Sequence, residues 1–149
     1  MDGRAFDVIV IGAGMAGAAV AAALCATHKV ALIEAEEQAG YHTTGRSAAI
    51  WVLNYGPPDA RTLTGLSRRF FLNPPEAFGP LTRPRPVLYL APAAMADALD
   101  GLIRQGQGVR EITLAQARRI VPAIRHGYAA RAGFEDSAFD MDVSALHQG

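Results

Sequence analysis

The chain has 149 residues, half of them apolar, with fourteen basic and fourteen acidic side chains and a formal net charge of zero. That length buries roughly two-thirds of the unfolded surface, enough for one ordinary domain, and the scattered, balanced charge excludes an electrostatic footprint for nucleic acid or an anionic membrane, leaving a small molecule as the expected partner. A single cysteine, Cys25, excludes an internal disulfide framework and fits a reducing, cytoplasmic setting.

Asp7-Val8-Ile9-Val10-Ile11 is a short apolar run ending in glycine, the pattern of a strand buried on both faces. Met15 to Ala26 follows as an alanine-rich helix with Val20 and Leu24 on one face and Cys25 as a small buried hydrophobe. Val30 to Glu34 reads as a second buried strand, so the three segments form a βαβ unit with a parallel pair. The stretch from Val8 to Leu24 is neither signal sequence nor span. Gly12, Gly14 and Gly17 interrupt it, and its apolar runs fall far short of the about eighteen residues that a span requires.

From Glu36 to Pro58 the periodicity disappears, and connections this long are uncommon unless they serve a site. Trp51 within this stretch is expected in the core. Asp59 is placed to cap a helix running to Leu72, with Leu63, Leu66 and Phe70 on one side and Arg68-Arg69 on a solvated face. A proline-rich passage leads into a strand at Val87 to Leu90, and a helix is expected over Ala93 to Arg104. Thr113 and Gln116 have capping-box spacing ahead of a helix that Pro122 ends. Tyr128 to Phe134 reads as a strand, and Val143 begins a further helical pattern. His28, His42, His126 and His147 share no metal-ligand spacing with one another or with Cys25, so no metal is expected.

Gly12-Ala13-Gly14-Met15-Ala16-Gly17 matches G-x-G-x-x-G. When a pyrophosphate rests on the first turn of a helix, the first glycine permits the tight turn, the second lets backbone approach the phosphates, and the third lets helix pack on strand. Free amides and the helix dipole then supply an anion site without a basic side chain. Glu34, about twenty residues on at the end of the second strand, stands where a carboxylate accepts ribose hydroxyls and repels a 2′-phosphate. The candidate nucleotide contacts are Gly12, Gly14, Ala16, Gly17, Glu34 and Ala35. Motif and carboxylate alone permit FAD and NAD equally.

The segment Gly40-Tyr41-His42-Thr43-Thr44-Gly45-Arg46-Ser47-Ala48-Ala49 resembles the FAD-dependent D-amino acid oxidase and dehydrogenase superfamily, its D-arginine dehydrogenase-like branch above all. Tyr55-Gly56, Ser67 to Phe71, Asn73-Pro74-Pro75, Pro84-Arg85-Pro86, Asp140-Met141-Asp142 and Ala145 to Gly149 extend the match over nearly the whole chain. The resemblance implies an α/β chain with a Rossmann-like βαβ FAD-binding fold of D-amino acid oxidase type. That fold is incomplete: one folded unit over residues 1–149, with 1–79 opening the FAD-binding domain and 80–149 beginning an α+β substrate domain. It implies FAD lined by Thr43, Thr44, Gly45, Arg46, Ser47, Ala48, Ala49 and Ile50, and a substrate-side role for Tyr55. It also implies hydride transfer from the α-carbon of an amino acid, at its CH–NH2 group, to flavin N5.

Two departures bear on the substrate. Ile50 stands where the D-arginine-type enzymes carry histidine, and Val87 where an acidic residue would meet a cationic side chain, so an apolar or uncharged amino acid is expected in place of D-arginine or D-lysine. Family members usually run to more than twice this length, their later portion supplying further strands and the arginine that holds the substrate carboxylate. Three functions are open: an amino acid oxidoreductase of which this is the N-terminal portion; a truncated relic, or one chain of a split enzyme whose partner is a complementary C-terminal chain, a nucleotide-binding module without independent catalysis; and an NAD-binding protein.

Overall fold

The computed structural model describes residues 5–142; the helical pattern expected from Val143, the match over Ala145 to Gly149 and His147 lie outside the described residues. The described residues fall into two compact units, residues 5–48 and Ala49–Asp142. The step between them falls at Ala48 and Ala49.

In the first unit, strand β1 (Val8–Ile11) lies parallel to β2 (Val30–Ile33), in the register Val8 to Val30 through Ile11 to Ile33. Asp7 fixes the start of this pair, donating its amide to the Lys29 carbonyl at 2.9 Å and accepting the Lys29 amide on Oδ2 at 2.8 Å. Helix α1 (Met15–Leu24) is the crossover between them. It ends where the Thr27 and His28 amides turn back onto the Leu24 carbonyl, both at 3.0 Å.

The strands are not buried as expected. Ile11 is 84% exposed, Ile9 59% and Ile33 50%, and α1 buries no side chain. Cys25 is likewise exposed, its thiol donating to the Ala22 carbonyl at 3.1 Å, which corrects its reading as a buried hydrophobe. A parallel pair needs layers on both faces, and within residues 5–48 α1 lies on the Val10 face while Ile9 and Ile11 stay exposed.

The second unit contains two three-stranded antiparallel sheets. One has the order β3 (Ile50–Trp51), β8 (Phe139–Met141), β4 (Thr82–Pro84). The other has the order β5 (Val87–Ala91), β7 (Arg131–Glu135), β6 (Val109–Ile112). Strands β3, β4, β6 and β8 were not anticipated, and β7 begins at Arg131, leaving Tyr128 to Ala130 as loop.

Helix α2 (Pro58–Leu72) opens with Pro58 at its first position and Pro57 as its cap, so Asp59 lies inside the first turn and is not the cap. There its charge still favours the positive helix end. Trp51 is buried as expected: its indole stacks on Phe139 with ring centroids 4.7 Å apart, and its Nε1 donates to the Thr64 carbonyl and the Ser67 hydroxyl of α2, each at 3.1 Å. Leu63 and Leu66, on the side of α2 first read as its apolar face, are 68% and 74% exposed, and Phe71 is the residue α2 buries. Arg68 is more than a solvated charge, its guanidinium standing over the Trp51 ring at 5.9 Å.

Helices α3 (Ala96–Gln105) and α4 (Leu114–Ile120) accompany the second sheet. The capping box ahead of α4 is complete: the Gln116 amide donates to Thr113 Oγ1 at 3.2 Å, and the Thr113 amide donates to Gln116 Oε1 at 2.9 Å. Ala117 and Ala132 are fully buried in the cluster that α4 covers, with Ile112 beside them. No helix among the described residues is long and apolar enough to cross a membrane.

Candidate functional site

The turn from β1 into α1 carries the glycine motif. Gly12 adopts a φ of +94°, a conformation that side-chain-bearing residues rarely accept, and its amide donates to the Ile33 carbonyl at 2.7 Å, tying the turn to β2. Gly17 faces that turn from the helix. A Cβ on it would stand 1.9 Å from the Gly12 carbonyl oxygen, so only hydrogen at position 17 allows the helix to start this close to the strand. Gly14 is the N-cap with extended backbone and offers no side-chain cap.

With no capping side chain of its own, the first turn of α1 is served from elsewhere in the unit. Glu34, just past β2, points back at the turn and accepts the Ala13 amide on Oε2 at 2.7 Å. Its Oε1 accepts the Ala35 amide at 2.8 Å and the Glu36 amide at 3.2 Å. These backbone donors, Ala13 first, hold the carboxyl below its ordinary pKa of 4.5, with the neighbouring His42 adding a smaller attraction. Thr44 reaches over from the following loop, and its hydroxyl accepts the Met15 amide at 3.0 Å. Among the described residues no acceptor lies on the amides of Gly14, Ala16 or Gly17. Three donors thus converge at the positive end of a helix, the arrangement that receives a phosphate oxygen.

Strap residues 36–47 close on themselves beside this turn. The Gly45 amide donates to the Gly40 carbonyl at 2.7 Å, and those of Arg46 and Ser47 donate to the carbonyls of His42 and Thr44 at 3.2 and 3.3 Å. His42 Nε2 is 2.7 Å from Glu36 Oε1, and the Arg46 guanidinium stands 5.6 Å over the Tyr41 ring. Of the residues predicted to line the cofactor, Gly12, Gly14, Ala16, Gly17, Glu34, Ala35, Thr43, Thr44, Gly45, Arg46, Ser47 and Ala48 belong to this unit, and Thr44 and Glu34 touch the glycine turn directly. Ala49, Ile50 and Tyr55 belong to the second unit, where Tyr55 is 80% exposed. Ala13 and Met15 were not singled out in sequence, yet their amides are where Glu34 and Thr44 attach. Both occupy variable positions of the motif, where the side chain carries no signal and the backbone does the binding.

The second unit holds a polar cluster that sequence did not reveal. Glu135 is fully buried on β7, accepting the Tyr89 hydroxyl at 2.7 Å and the Ser137 hydroxyl at 3.0 Å. Burial first, then the bond to Glu135, pushes the Tyr89 phenol well above its ordinary range. Val87, the position that lacks the expected acidic residue, is the cross-strand partner of Glu135. Among the described residues no group of three or more histidine, cysteine, aspartate or glutamate side chains could hold a metal ion.

A family model described as FAD dependent oxidoreductase matches residues 7–149 of the chain. Among solved structures, the chain is similar to glycine oxidase from Geobacillus kaustophilus, with a TM-score of 0.79 and 20% identity over 96% of this chain and 43% of that one. It is similar to L-alpha-glycerophosphate oxidase from Mycoplasma pneumoniae with FAD bound, TM-score 0.78 and 16% identity, over 97% of this chain and 41% of that one. A third similarity is to L-proline dehydrogenase from P. horikoshii, TM-score 0.77 and 19% identity, over 94% and 40% of the two chains. The chain therefore spans about two-fifths of the length of these solved relatives.

Proposed function

The chain belongs to the FAD dependent oxidoreductase family, and from that premise we propose that it is the nucleotide-holding portion of a flavoenzyme that oxidises the CH–NH2 group of an amino acid. The observation that carries this reading is the first turn of α1, where open amides on Gly14, Ala16 and Gly17 face the space beside a carboxylate anchored on Ala13. Those residues fit the adenosine diphosphate half of FAD: the amides receive diphosphate oxygens, and Glu34, with lone pairs left after accepting three amides, receives ribose hydroxyls. The family match supports FAD over NAD, because it extends far beyond the glycine motif that both cofactors share.

FAD, when bound, supplies the hydride acceptor that a polypeptide lacks. The chain's own residues orient and hold. Thr44 ties the strap 36–47 to the helix start; the lining roles of Thr43 to Ala48, and of Ala49, Ile50 and Tyr55 in the second unit, rest on the resemblance of the sequence. Amino acids as the substrate class are supported by the solved relatives named for glycine and L-proline. The D-configuration rests on the resemblance of the Thr43 to Ala49 segment alone. Ile50 and Val87, neither of which can meet a cation, favour an apolar or uncharged side chain.

The remaining polypeptide, whether continuous with this chain or a complementary one, would cover the exposed strands and bring the group that holds the substrate carboxylate. The test is titration of the purified chain with FAD, followed by the flavin's visible absorbance and fluorescence, together with an amino acid turnover assay. Weak FAD uptake and no turnover are expected. A chain that leaves FAD unbound at saturating concentration overturns the nucleotide reading, and turnover by the chain alone overturns the division of labour.

A further inference from the structure

Strand β6 reads Val109-Arg110-Glu111-Ile112, and its alternation sends Glu111 to one face of the sheet and Arg110 with Ile112 to the other. On the Glu111 face, charge is neutralised locally. Arg131 donates to Asp100 at 2.6 Å and to both oxygens of Glu111 at 2.8 and 2.9 Å, so one guanidinium occupies two carboxylates. On the opposite face, beside α4, an open cavity of about 270 Å³ is lined by Arg110, Ile112, Gln116, Arg119, Ile120 and Phe134, of which only Ile112 is buried.

Its lining is apolar except for cations and one amide. Arg110 lies over the Phe134 ring at 4.7 Å, and among the described residues neither Arg110 nor Arg119 has a carboxylate partner. The Nε of Arg118, next along α4, is buried with no acceptor on the protein. Gln116 commits its Oε1 to Thr113, which leaves its amide nitrogen as a further donor. The C-terminus of α4 offers these cations only about half a unit of opposing charge. Two exposed guanidiniums therefore stand at the rim of an open apolar hollow with no carboxylate partner among the described residues.

We propose that this cavity binds a small monocarboxylate with an apolar or aromatic body. Its carboxylate accepts from Arg110 and Arg119, and its body lies against Phe134, Ile112 and Ile120. The volume falls just under the about 300–1,000 Å³ of drug-sized sites, which suits one ring with a short acid arm and excludes a dinucleotide. All six lining residues lie in the unit Ala49–Asp142, and the proposal does not depend on FAD.

The probe is phenylacetate, added to the full 149-residue chain while the methyl signals of Ile112 and Ile120 are followed by NMR, with 2-phenylethanol as a neutral analogue. Phenylacetate is expected to shift both methyls saturably. The analogue, and phenylacetate against the R110Q/R119Q double variant, are expected to bind at least about tenfold more weakly, the loss of one charge-assisted contact. Salt that shortens the Debye length to about 3 Å should weaken binding to the wild-type chain by a similar factor. Salt and analogue arms both use the unaltered chain, so the proposal stays testable if the double variant misfolds. Equal affinity for the alcohol, salt-independent binding, unchanged affinity in a folded double variant, or no shift at all would each overturn it.

Discussion

An ideal Cβ on Gly17 meets the Gly12 carbonyl oxygen at 1.9 Å, and that oxygen belongs to a turn already held by the Gly12 amide on β2. Neither side can give way without moving β1 or α1. Gly17→Ala is therefore expected to cost the first unit about 1–3 kcal/mol, the usual penalty of overpacking, and to abolish FAD uptake while leaving the sheet of β5, β7 and β6 intact. FAD titration and hydrogen exchange on the same sample separate the two effects. Glu34 carries the other residue-scale expectation. Its carboxyl is held below the ordinary value by the Ala13, Glu36 and Ala35 amides, so the unfolded chain binds its proton more readily than the folded one. The contribution of the charge is complete above pH 4.5 and is lost as the pH falls through the lowered folded value. FAD affinity should show that acid limb in the wild-type chain. Glu34→Gln should remove it and weaken FAD by roughly tenfold at neutral pH, the size of a hydrogen bond to a charged acceptor. An unchanged pH profile in Glu34→Gln would detach the carboxylate from the nucleotide.

Elements whose reasons are local were legible in the sequence, and those made by a distant partner were not. The capping box of Thr113 and Gln116, the stop at Pro122 and the apolar runs of β1, β2 and β5 each carry their cause within a few residues. Strand β6 hides behind two charged residues, β4 sits in a proline-rich passage, and β8 exists because Phe139 pairs with Trp51 on one side and Pro84 on the other. No local pattern announces such pairings. The buried Glu135 was invisible for the same reason, since its donors Tyr89 and Ser137 meet it only after β5 and β7 align. In the site, the glycine turn and Glu34 were readable because spacing fixes them; the use of the Ala13 and Met15 amides was not, because backbone leaves no mark on residue type. At this scale the capping box offers a test. Thr113→Ala leaves the Gln116 amide without its acceptor and is expected to lower stability by about 0.5–2 kcal/mol, measurable by denaturant unfolding. Because α4 covers Ile112, Ala117 and Ala132, the loss should appear in that sheet's protection as well as in the helix.

Across the whole molecule the two units differ in how far they satisfy their own hydrophobic demand. The second unit buries Trp51, Leu81, Leu99, Ala132 and Phe139 to 4% exposure or less. The first has, among the described residues, two parallel strands and one helix with no buried side chain, and Ile9, Ile11 and Ile33 are at least half exposed. Two strands alone are marginal in water, and a third strand or a covering layer is what gives such a pair independent stability. Local opening should therefore be frequent at β1 and β2 and rare at β7. Hydrogen exchange is expected to proceed orders of magnitude faster at the amides of Val10 and Ile11 than at those of Ala132 and Phe134. Saturating FAD should slow exchange at Gly14, Ala16 and Gly17, and only additional polypeptide should protect the strand faces. Uniform protection across both units would mean that the exposed isoleucines are already covered in solution, by self-association or otherwise, and mass measurement at rising concentration would distinguish that case. The same exposure supports the proposal that turnover needs further polypeptide. A cradle whose supporting strands open freely holds a diphosphate only part of the time, and its apparent affinity falls by the fraction of time the turn is formed.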